Sequence, residues 1–170
     1  MRNILLSITA LLITTQIAMA DVWQVRKIKN DFDGANFVRI HTEYLKLNQP
    51  LGFPYQDLKV AAAVDCVGDS QTFSLVFSMD PNLTNYTLKT IGNEIYKQVA
   101  VQVKLDGGDI KNYTAMNKIG SSWLVFGGYL TPEILDTKKL MLQMDFYQGT
   151  RHVTIDMSKR KKCSEHITKR

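Results

Sequence analysis

The sequence predicts an all-β fold, a two-sheet antiparallel β-sandwich of about eight strands with one short helix. Short segments in which every second residue is apolar predict the strands, because the side chains of a strand alternate between its two faces. Clusters of Gly, Asp and Asn that favour turns separate these segments. No long segment has the apolar period of an amphipathic helix. Since alternation leaves each sheet with one apolar face, two sheets stacked face to face would bury both faces.

The predicted strands follow one another along the chain, and two of them show strict alternation. The alternating residues are Val99, Val101, Val103 and Leu105 in the first and Leu140, Leu142, Met144 and Phe146 in the second. Residues 58–64 are apolar on both faces, which indicates a central strand. The other predicted strands are residues 23–28, 37–44, 73–77, 123–126 and 153–157. Residues 131–135 predict the helix, because Thr131 can act as the N-cap for Pro132 at the first helical position.

Residues 1–20 have the pattern of a secretory signal peptide. Arg2 supplies a positive charge, residues 4–17 are almost wholly apolar or small, and residues 18–20 form a small-x-small cleavage site. The apolar stretch is too short for a membrane anchor. We therefore expect a bacterial protein that is periplasmic or secreted, with no integral membrane segment after cleavage before Asp21. The mature chain would comprise a β-sandwich domain, residues 21–157, and a basic C-terminal tail, residues 158–170.

Cys66 and Cys163 are the two cysteines of the chain. In the oxidising compartment that the signal peptide indicates, they are expected to form one intramolecular disulfide. The bridge would tether the basic tail to the domain. In the chain-entropy description, closing a loop of about 100 residues stabilises a fold by roughly 4 to 5 kcal/mol. A redox function is not expected, because redox-active thiols usually lie close together in sequence.

The positive charge of the protein is concentrated in the predicted tail. Residues 158–170 carry six basic residues and one acidic residue, whereas residues 21–157 carry 14 basic and 15 acidic residues. We expect this tail to be surrounded by water. No nucleic-acid partner is predicted, because no aromatic-rich motif for base stacking accompanies the basic residues.

Motifs that carry enzymatic chemistry are missing from the sequence, so we predict no catalytic residues and no cofactor. There is no G-x-S-x-G, no H-E-x-x-H and no glycine-rich phosphate loop. Asp106 and Asp109 flank two glycines and are interpreted as turn residues. Asp31, Asp33 and Asn36 alternate like the first half of a calcium loop, but the distal Glu is missing. A turn between the first two strands explains these residues, and a calcium site is the alternative interpretation.

Four aromatic residues in or near predicted loops are the candidate binding residues. They are Phe53, Tyr55, Tyr86 and Tyr113. Aromatic rings supply contact area, and the hydroxyl of tyrosine adds a polar group, which explains their enrichment in interfaces. The expected partner is another envelope protein or a cell-wall component.

Several short motifs together resemble a known family. They are Trp23-x-Val25, the Asp-rich turn at residues 30–34, the strand that leads into Cys66, Leu105-Asp106, residues 123–126 and the final Cys163. This pattern resembles the small periplasmic accessory proteins of type VI secretion (TagO- or VasI-like). The resemblance implies a mostly β, non-enzymatic envelope protein and gives no catalytic residues.

The leading hypothesis is an exported, non-catalytic binding or accessory protein that acts through protein or cell-wall contacts and is linked to a secretion system. An inhibitor or immunity-type protein that blocks a secreted enzyme is the first alternative. A glycan hydrolase of an unrecognised type is the second, and it would require two carboxylates that converge in a cleft.

Overall fold

The computed structural model of the protein describes residues 23–29, 36–127 and 131–166. The predicted signal peptide lies outside these residues, as do Asp31 and Asp33 of the calcium hypothesis, and Asn36 begins the second strand. Within the described ranges, no helix is both long and apolar enough to cross a membrane.

Antiparallel strands make up most of the described residues. The strands are β1 (Gln24–Lys29), β2 (Asn36–His41), β3 (Leu45–Lys46), β4 (Lys59–Val67), β5 (Ser70–Phe77), β6 (Tyr86–Ile91), β7 (Glu94–Leu105), β8 (Ile110–Lys118), β9 (Trp123–Phe126), β10 (Lys139–Phe146) and β11 (Gly149–Asp156). One helix, α1, spans Thr131–Asp136, and a short 3₁₀ helix spans Cys163–Glu165. Each predicted strand has a counterpart, and the single short helix is confirmed. Strands β3, β6 and β8 have no counterpart in the prediction.

The prediction of two stacked sheets with eight strands is wrong. The described residues form eleven strands in one continuous antiparallel sheet, in the order β1-β2-β4-β5-β9-β8-β7-β10-β11, with β3 beside β4 and β6 beside β7. The short strand β9 pairs with both β5 and β8 and so joins the two halves that a sandwich would keep apart. Alternation predicts which residues share a face of a sheet, but it carries no information on whether two groups of strands are hydrogen-bonded to each other.

The sheet curls strongly enough for its two ends to approach each other. The indole Nε1 of Trp23, just before β1, donates a 2.8 Å hydrogen bond to the carbonyl of Asp156 at the end of β11. The backbone N–H of Asn48, just after β3, donates to the carbonyl of His152 at 2.9 Å. Across the interior, the rings of Phe77 and Phe146 meet edge to face, with centroids 6.3 Å apart. One curled sheet therefore encloses the core.

The inner face of this sheet carries the core that the alternation predicts. Val99, Val101 and Val103 are buried, and the alternating residues of β10 are buried with them. Strand β4 is buried on both faces from Val60 to Val64, which confirms the prediction of a central strand.

The outer face of the central strands is covered by a cation–π stack. The guanidinium carbon of Arg39 lies 4.3 Å from the ring centroid of Trp123. The same guanidinium donates two hydrogen bonds, of 2.6 and 2.9 Å, to the carboxylate of Asp65. Because β4 and β5 lie between the strands of Arg39 and Trp123, the stack crosses over them. The residues beneath it, Ala63 and Ser74, are small and buried.

The predicted disulfide is present in the structure. Cys66 in β4 is bonded to Cys163, which lies in the predicted tail, with a Cα–Cα distance of 5.8 Å. The expectation of a tail surrounded by water is wrong for Arg160. Its Nη2 donates a 3.2 Å hydrogen bond to the carbonyl of Leu135 in α1, and its side chain is partly buried.

Candidate functional site

One part of the sheet extends beyond the core. It consists of β6, residues 94–98 of β7 and residues 116–119, and we call it the arm. Strand β6 pairs with the first half of β7 along its whole length, and all six of its residues are exposed. The turn between β6 and β7 is Gly92-Asn93, and Gly92 has the positive φ of 60° that such a turn requires.

The inner face of the sheet continues onto the arm, where the side chains of β6 and Ile95 are exposed. Val99 pairs with Ala115 and both are completely buried, so their side chains mark the face that points into the core. Tyr86 pairs with Val99, and therefore Tyr86 and Leu88 lie on that same face of β6. Exposed apolar side chains follow along it, and we call them the apolar face of the arm. They are Tyr86, Leu88, Ile95 and Ile119, which are 42%, 63%, 48% and 50% exposed.

The backbone of β6 is open along its second side. No strand of the described residues pairs with β6 other than β7. The N–H of Ala100 donates to the carbonyl of Asn85 at 3.3 Å, which fixes which residues of β6 exchange hydrogen bonds with β7. By this alternation the backbone groups of Thr87, Lys89 and Ile91 point toward β7. Those of Tyr86, Leu88 and Thr90 point outward.

On the opposite face of the arm, polar contacts connect the side chains of β7 and β8. The carboxylate of Glu94 accepts a 2.6 Å hydrogen bond from the hydroxyl of Tyr96, and it pairs with the ammonium of Lys118 on β8. The hydrogen bond from Lys118 lowers the pKa of the Glu94 carboxyl, and the same bond raises the pKa of Lys118. Because Lys118 and Tyr96 sit on paired strands, these contacts fasten the tip of the arm.

Two other lysines of the arm have no acidic partner among the described residues. The ammonium of Lys97 lies 5.1 Å from the ring centroid of Tyr86, on the apolar face. Lys89 is exposed in the middle of β6. With Glu94 already paired to Lys118, the arm presents apolar side chains and unpaired positive charge.

The four predicted binding aromatics do not form one site. Tyr86 lies on the apolar face of the arm. The ring of Tyr113 packs against the core, and its hydroxyl donates a 2.9 Å hydrogen bond to Glu133 in α1. Tyr55 also packs partly against the core, whereas Phe53 is 85% exposed at the other side of the same loop.

Tyr113 serves as a support for α1. Burial, and then the hydrogen bond to Glu133, raise the pKa of Tyr113. The same hydrogen bond lowers the pKa of the Glu133 carboxyl, which Lys111 also contacts at 3.1 Å. The hydrogen bond to Glu133 therefore accounts for a tyrosine at position 113, and no ligand is needed to explain it.

The sequence interpretation missed the apolar face of the arm. Residues 86–89 alternate, and Gly92-Asn93 shortly after them is a two-residue combination that favours a hairpin. That signal predicts β6 and its turn. It does not predict that Leu88 and Ile95 lack cover, because cover depends on which distant segments lie beside the hairpin.

A cleft of about 560 Å³ lies beside the disulfide, between α1, the β4–β5 turn and the tail. Asp69 and Asp136 contribute carboxylates to it, and Arg160 and Lys162 contribute cations. Burial lowers the pKa of Arg160, although the charge of Asp136 acts in the opposite direction. No histidine lines this cleft within the described part of the chain, and its one cysteine is bonded in the disulfide.

Metal-binding groups do not cluster in the described ranges. No set of three or more His, Cys, Asp or Glu side chains in these ranges is arranged to hold an ion. Comparison of the chain with protein-family models, curated proteins and solved structures finds no match.

Proposed function

We propose that the protein is an exported, non-catalytic accessory protein that binds another envelope protein by adding a strand of its partner to β6. The observation that carries the proposal is the open edge of β6 together with the uncovered apolar face beside it. In strand addition, backbone hydrogen bonds to a sheet edge supply affinity, and alternate side chains of the added strand supply specificity.

The exposure of apolar side chains on the arm supports a protein partner. Eleven large hydrophobic residues are exposed in the described part of the chain, and five of them lie in the arm. They are Tyr86, Leu88, Ile91, Ile95 and Ile119. Folded proteins usually protect long edge strands from pairing, and clustered exposed apolar side chains mark interaction surfaces. Fully burying one Leu or Ile side chain contributes about 1.5 to 3 kcal/mol, so several together can support specific binding.

The charges of the arm favour an acidic partner segment. Lys89 and Lys97 lie on opposite faces of the arm and have no carboxylate partner there. An extended segment with alternating apolar and acidic residues would cover the apolar face with its apolar side chains and place its acidic side chains beside Lys89 on the opposite face. Pairing of two copies of β6 would instead bring like charges together, which destabilises neighbouring strands.

Export is the second part of the proposal. The signal-peptide pattern of residues 1–20 supports it, and so does the disulfide, because disulfides persist in oxidising compartments. These two features support a periplasmic or secreted location. The resemblance to accessory proteins of type VI secretion points to the same class of envelope protein and gives a starting point for the choice of partner.

The two alternative functions make different demands on the structure. An inhibitor of a secreted enzyme would also use an exposed segment, and the identity of the captured partner distinguishes it from an accessory protein. A glycan hydrolase would place its carboxylates in the cleft beside the disulfide, where Asp69 and Asp136 lie. Loss of hydrolysis in an Asp136→Asn variant would favour that alternative.

A proline substitution on the open edge tests strand addition. In the mature protein, Thr90→Pro removes an outward N–H without removing a hydrogen bond to β7, whereas the control Thr90→Val keeps that N–H. A photo-crosslinker at Leu88 should capture an envelope protein through an extended acidic segment, identified by mass spectrometry. We expect Thr90→Pro to weaken capture at least about tenfold, which corresponds to 1.4 kcal/mol, and Thr90→Val to leave it unchanged.

A crosslinker at Ile110 provides the matched control for position. Ile110 is 62% exposed, like Leu88, but it lies at the start of β8 outside the arm. Equal capture of the same partner from both positions would contradict the proposal, as would unchanged capture by the folded Thr90→Pro variant. Capture of a second copy of the chain would show that β6 forms a homodimer, and this result would also overturn the proposal of an acidic partner.

A further inference from the structure

The two most exposed large hydrophobic side chains of the described residues lie on neighbouring segments. Phe53 is 85% exposed in the loop before β4, and Tyr147 is 78% exposed in the turn between β10 and β11. Single exposed apolar residues are normal on protein surfaces and need no explanation. Here, however, hydrogen bonds join the two segments. We call Phe53 and Tyr147 the aromatic pair.

The side chain of Gln148 joins the two segments of the aromatic pair. Its Oε1 accepts a hydrogen bond from the backbone N–H of Gly52, and its Nε2 donates to the carbonyl of Phe53 at 3.1 Å. Gln148 directly follows Tyr147, so a single amide group links the backbones that carry both rings. A Cβ atom at residue 52 would lie 3.2 Å from Oε1 of Gln148, which explains why a glycine suits this position.

Further hydrogen bonds fix the loop along the β10–β11 hairpin. Asn48 and His152 exchange two of them, one from the N–H of Asn48 to the carbonyl of His152 and one from the N–H of His152 to Oδ1 of Asn48. The guanidinium of Arg151 donates to the carbonyl of Pro50 at 3.4 Å. The loop is therefore held in place before any ligand binds, which reduces the entropy that binding would otherwise lose.

The surroundings of the aromatic pair are polar and include carboxylates as well as the guanidinium of Arg151. The carbonyl of Asn82 accepts a hydrogen bond from the N–H of Tyr147, and the N–H of Asn82 donates to the carboxylate of Asp80, both at 3.3 Å. Asp80 is exposed, and Asp57 is exposed in the same loop as Phe53. The two rings are thus separate apolar surfaces among hydrogen-bonding groups.

This arrangement favours a carbohydrate over the other ligands that exposed aromatic rings bind. Pyranose rings present C–H groups on their faces and hydroxyl groups at their rims, so they match aromatic faces surrounded by polar groups. A membrane surface with anionic lipids attracts Lys and Arg clusters, whereas the exposed charges here include Asp57 and Asp80. The core of a protein interface is a more continuous apolar surface than two isolated rings provide.

We propose that Phe53 and Tyr147 form a glycan-binding site that stacks on the sugar rings of a polysaccharide strand. The proposal does not depend on strand addition at β6, because it uses different residues and a different class of ligand. It gives the protein a contact with the cell wall in addition to its protein partner.

Co-sedimentation of the mature protein with purified peptidoglycan sacculi tests this site, and a soluble hexamer of N-acetylglucosamine serves as competitor. We expect Phe53→Ala and Tyr147→Ala each to weaken binding by about tenfold, since anchor residues of a contact carry most of its affinity. Phe53→Tyr keeps a ring and should retain binding. Tyr44→Ala is the matched control, because Tyr44 is 53% exposed between β2 and β3, outside the two segments of the pair, and should not affect binding.

A fluorescence measurement gives a second test that does not require the alanine variants to fold. In Phe53→Trp, addition of the soluble hexamer should shift the emission of the new tryptophan, relative to the wild type with the same sugar. The proposal is overturned if the wild type fails to sediment with sacculi, if it binds only anionic vesicles, or if the double alanine variant still binds. Thr90→Pro should leave glycan binding unchanged, so failure of either proposal can be distinguished from failure of the other.

Discussion

The effect of removing the disulfide on the free energy of unfolding can be worked out most directly from the structure. Cys66 and Cys163 are 97 residues apart in sequence and almost completely buried. For a loop of about 100 residues, the chain-entropy description gives about 4.7 kcal/mol of stabilisation at 25 °C. Since small domains have free energies of unfolding of about 5 to 15 kcal/mol, this is a large share of the total. We therefore expect the variant Cys66→Ala/Cys163→Ala to lose about 3 to 5 kcal/mol.

Urea unfolding of the mature protein, followed by circular dichroism, measures this loss. The wild type in the presence of a reductant provides the control, because reduction removes the same link without changing a side chain in the core. The reduced wild type should unfold close to the double variant, and the double variant should not respond to the reductant. A loss of less than about 1 kcal/mol would refute the loop-closure argument for this fold.

Two further predictions concern contacts outside the candidate sites. Arg39→Ala removes both the bidentate pair with Asp65 and the stack on Trp123, and we expect it to lower the free energy of unfolding by roughly 1 to 2 kcal/mol. Urea titration checks this value, with Lys29→Ala at the exposed end of β1, paired with Asn36 and not with Arg39, as the control, and equal stabilities of the two variants would contradict it. The carboxylate of Asp106 accepts backbone hydrogen bonds from Lys139 at 2.7 Å and Lys138 at 2.8 Å, and the bond from Lys139 is the main cause that lowers its pKa below the ordinary 3.8. A lowered pKa in the folded state means that the charge stabilises the fold above the ordinary value, and that this stabilisation is lost as the pH falls through the lowered pKa. The thermal midpoint of the wild type should therefore exceed that of Asp106→Asn at pH 6, and the difference should shrink below about pH 3. A difference that does not change with pH would exclude the charge as its cause.

Strict alternation predicted the strands whose side chains fill the core. Val99, Val101 and Val103 are buried as expected, because only one face of a strand can point inward. Strand β8 was missed because its polar residues, such as Lys111 and Asn112, hide the alternation. It is a strand because β7 pairs with it over nine residues, a contact between neighbours that local propensity does not reveal.

The candidate sites could be predicted only in part from the sequence. Phe53 and Tyr86 stand out as aromatic residues near turns, and both are exposed. Tyr147 was missed because nothing in the sequence links it to Phe53, which lies almost a hundred residues earlier along the chain. Tyr113 was selected for the same reason as Tyr86, but the register of β8 turns its ring toward the core.

The sequence by itself determined which side chains of the strictly alternating strands face the core and which two cysteines pair. Both follow from local chemistry, since alternation places apolar residues on one face and two thiols allow a single intramolecular bond. The tertiary structure decided that the strands join in one curled sheet, that β6 keeps an open edge, and that Phe53 lies beside the turn of Tyr147. These features depend on which distant segments become neighbours. The alternation of apolar and polar residues along a strand does not reveal this, because it is the same whichever strand lies beside it.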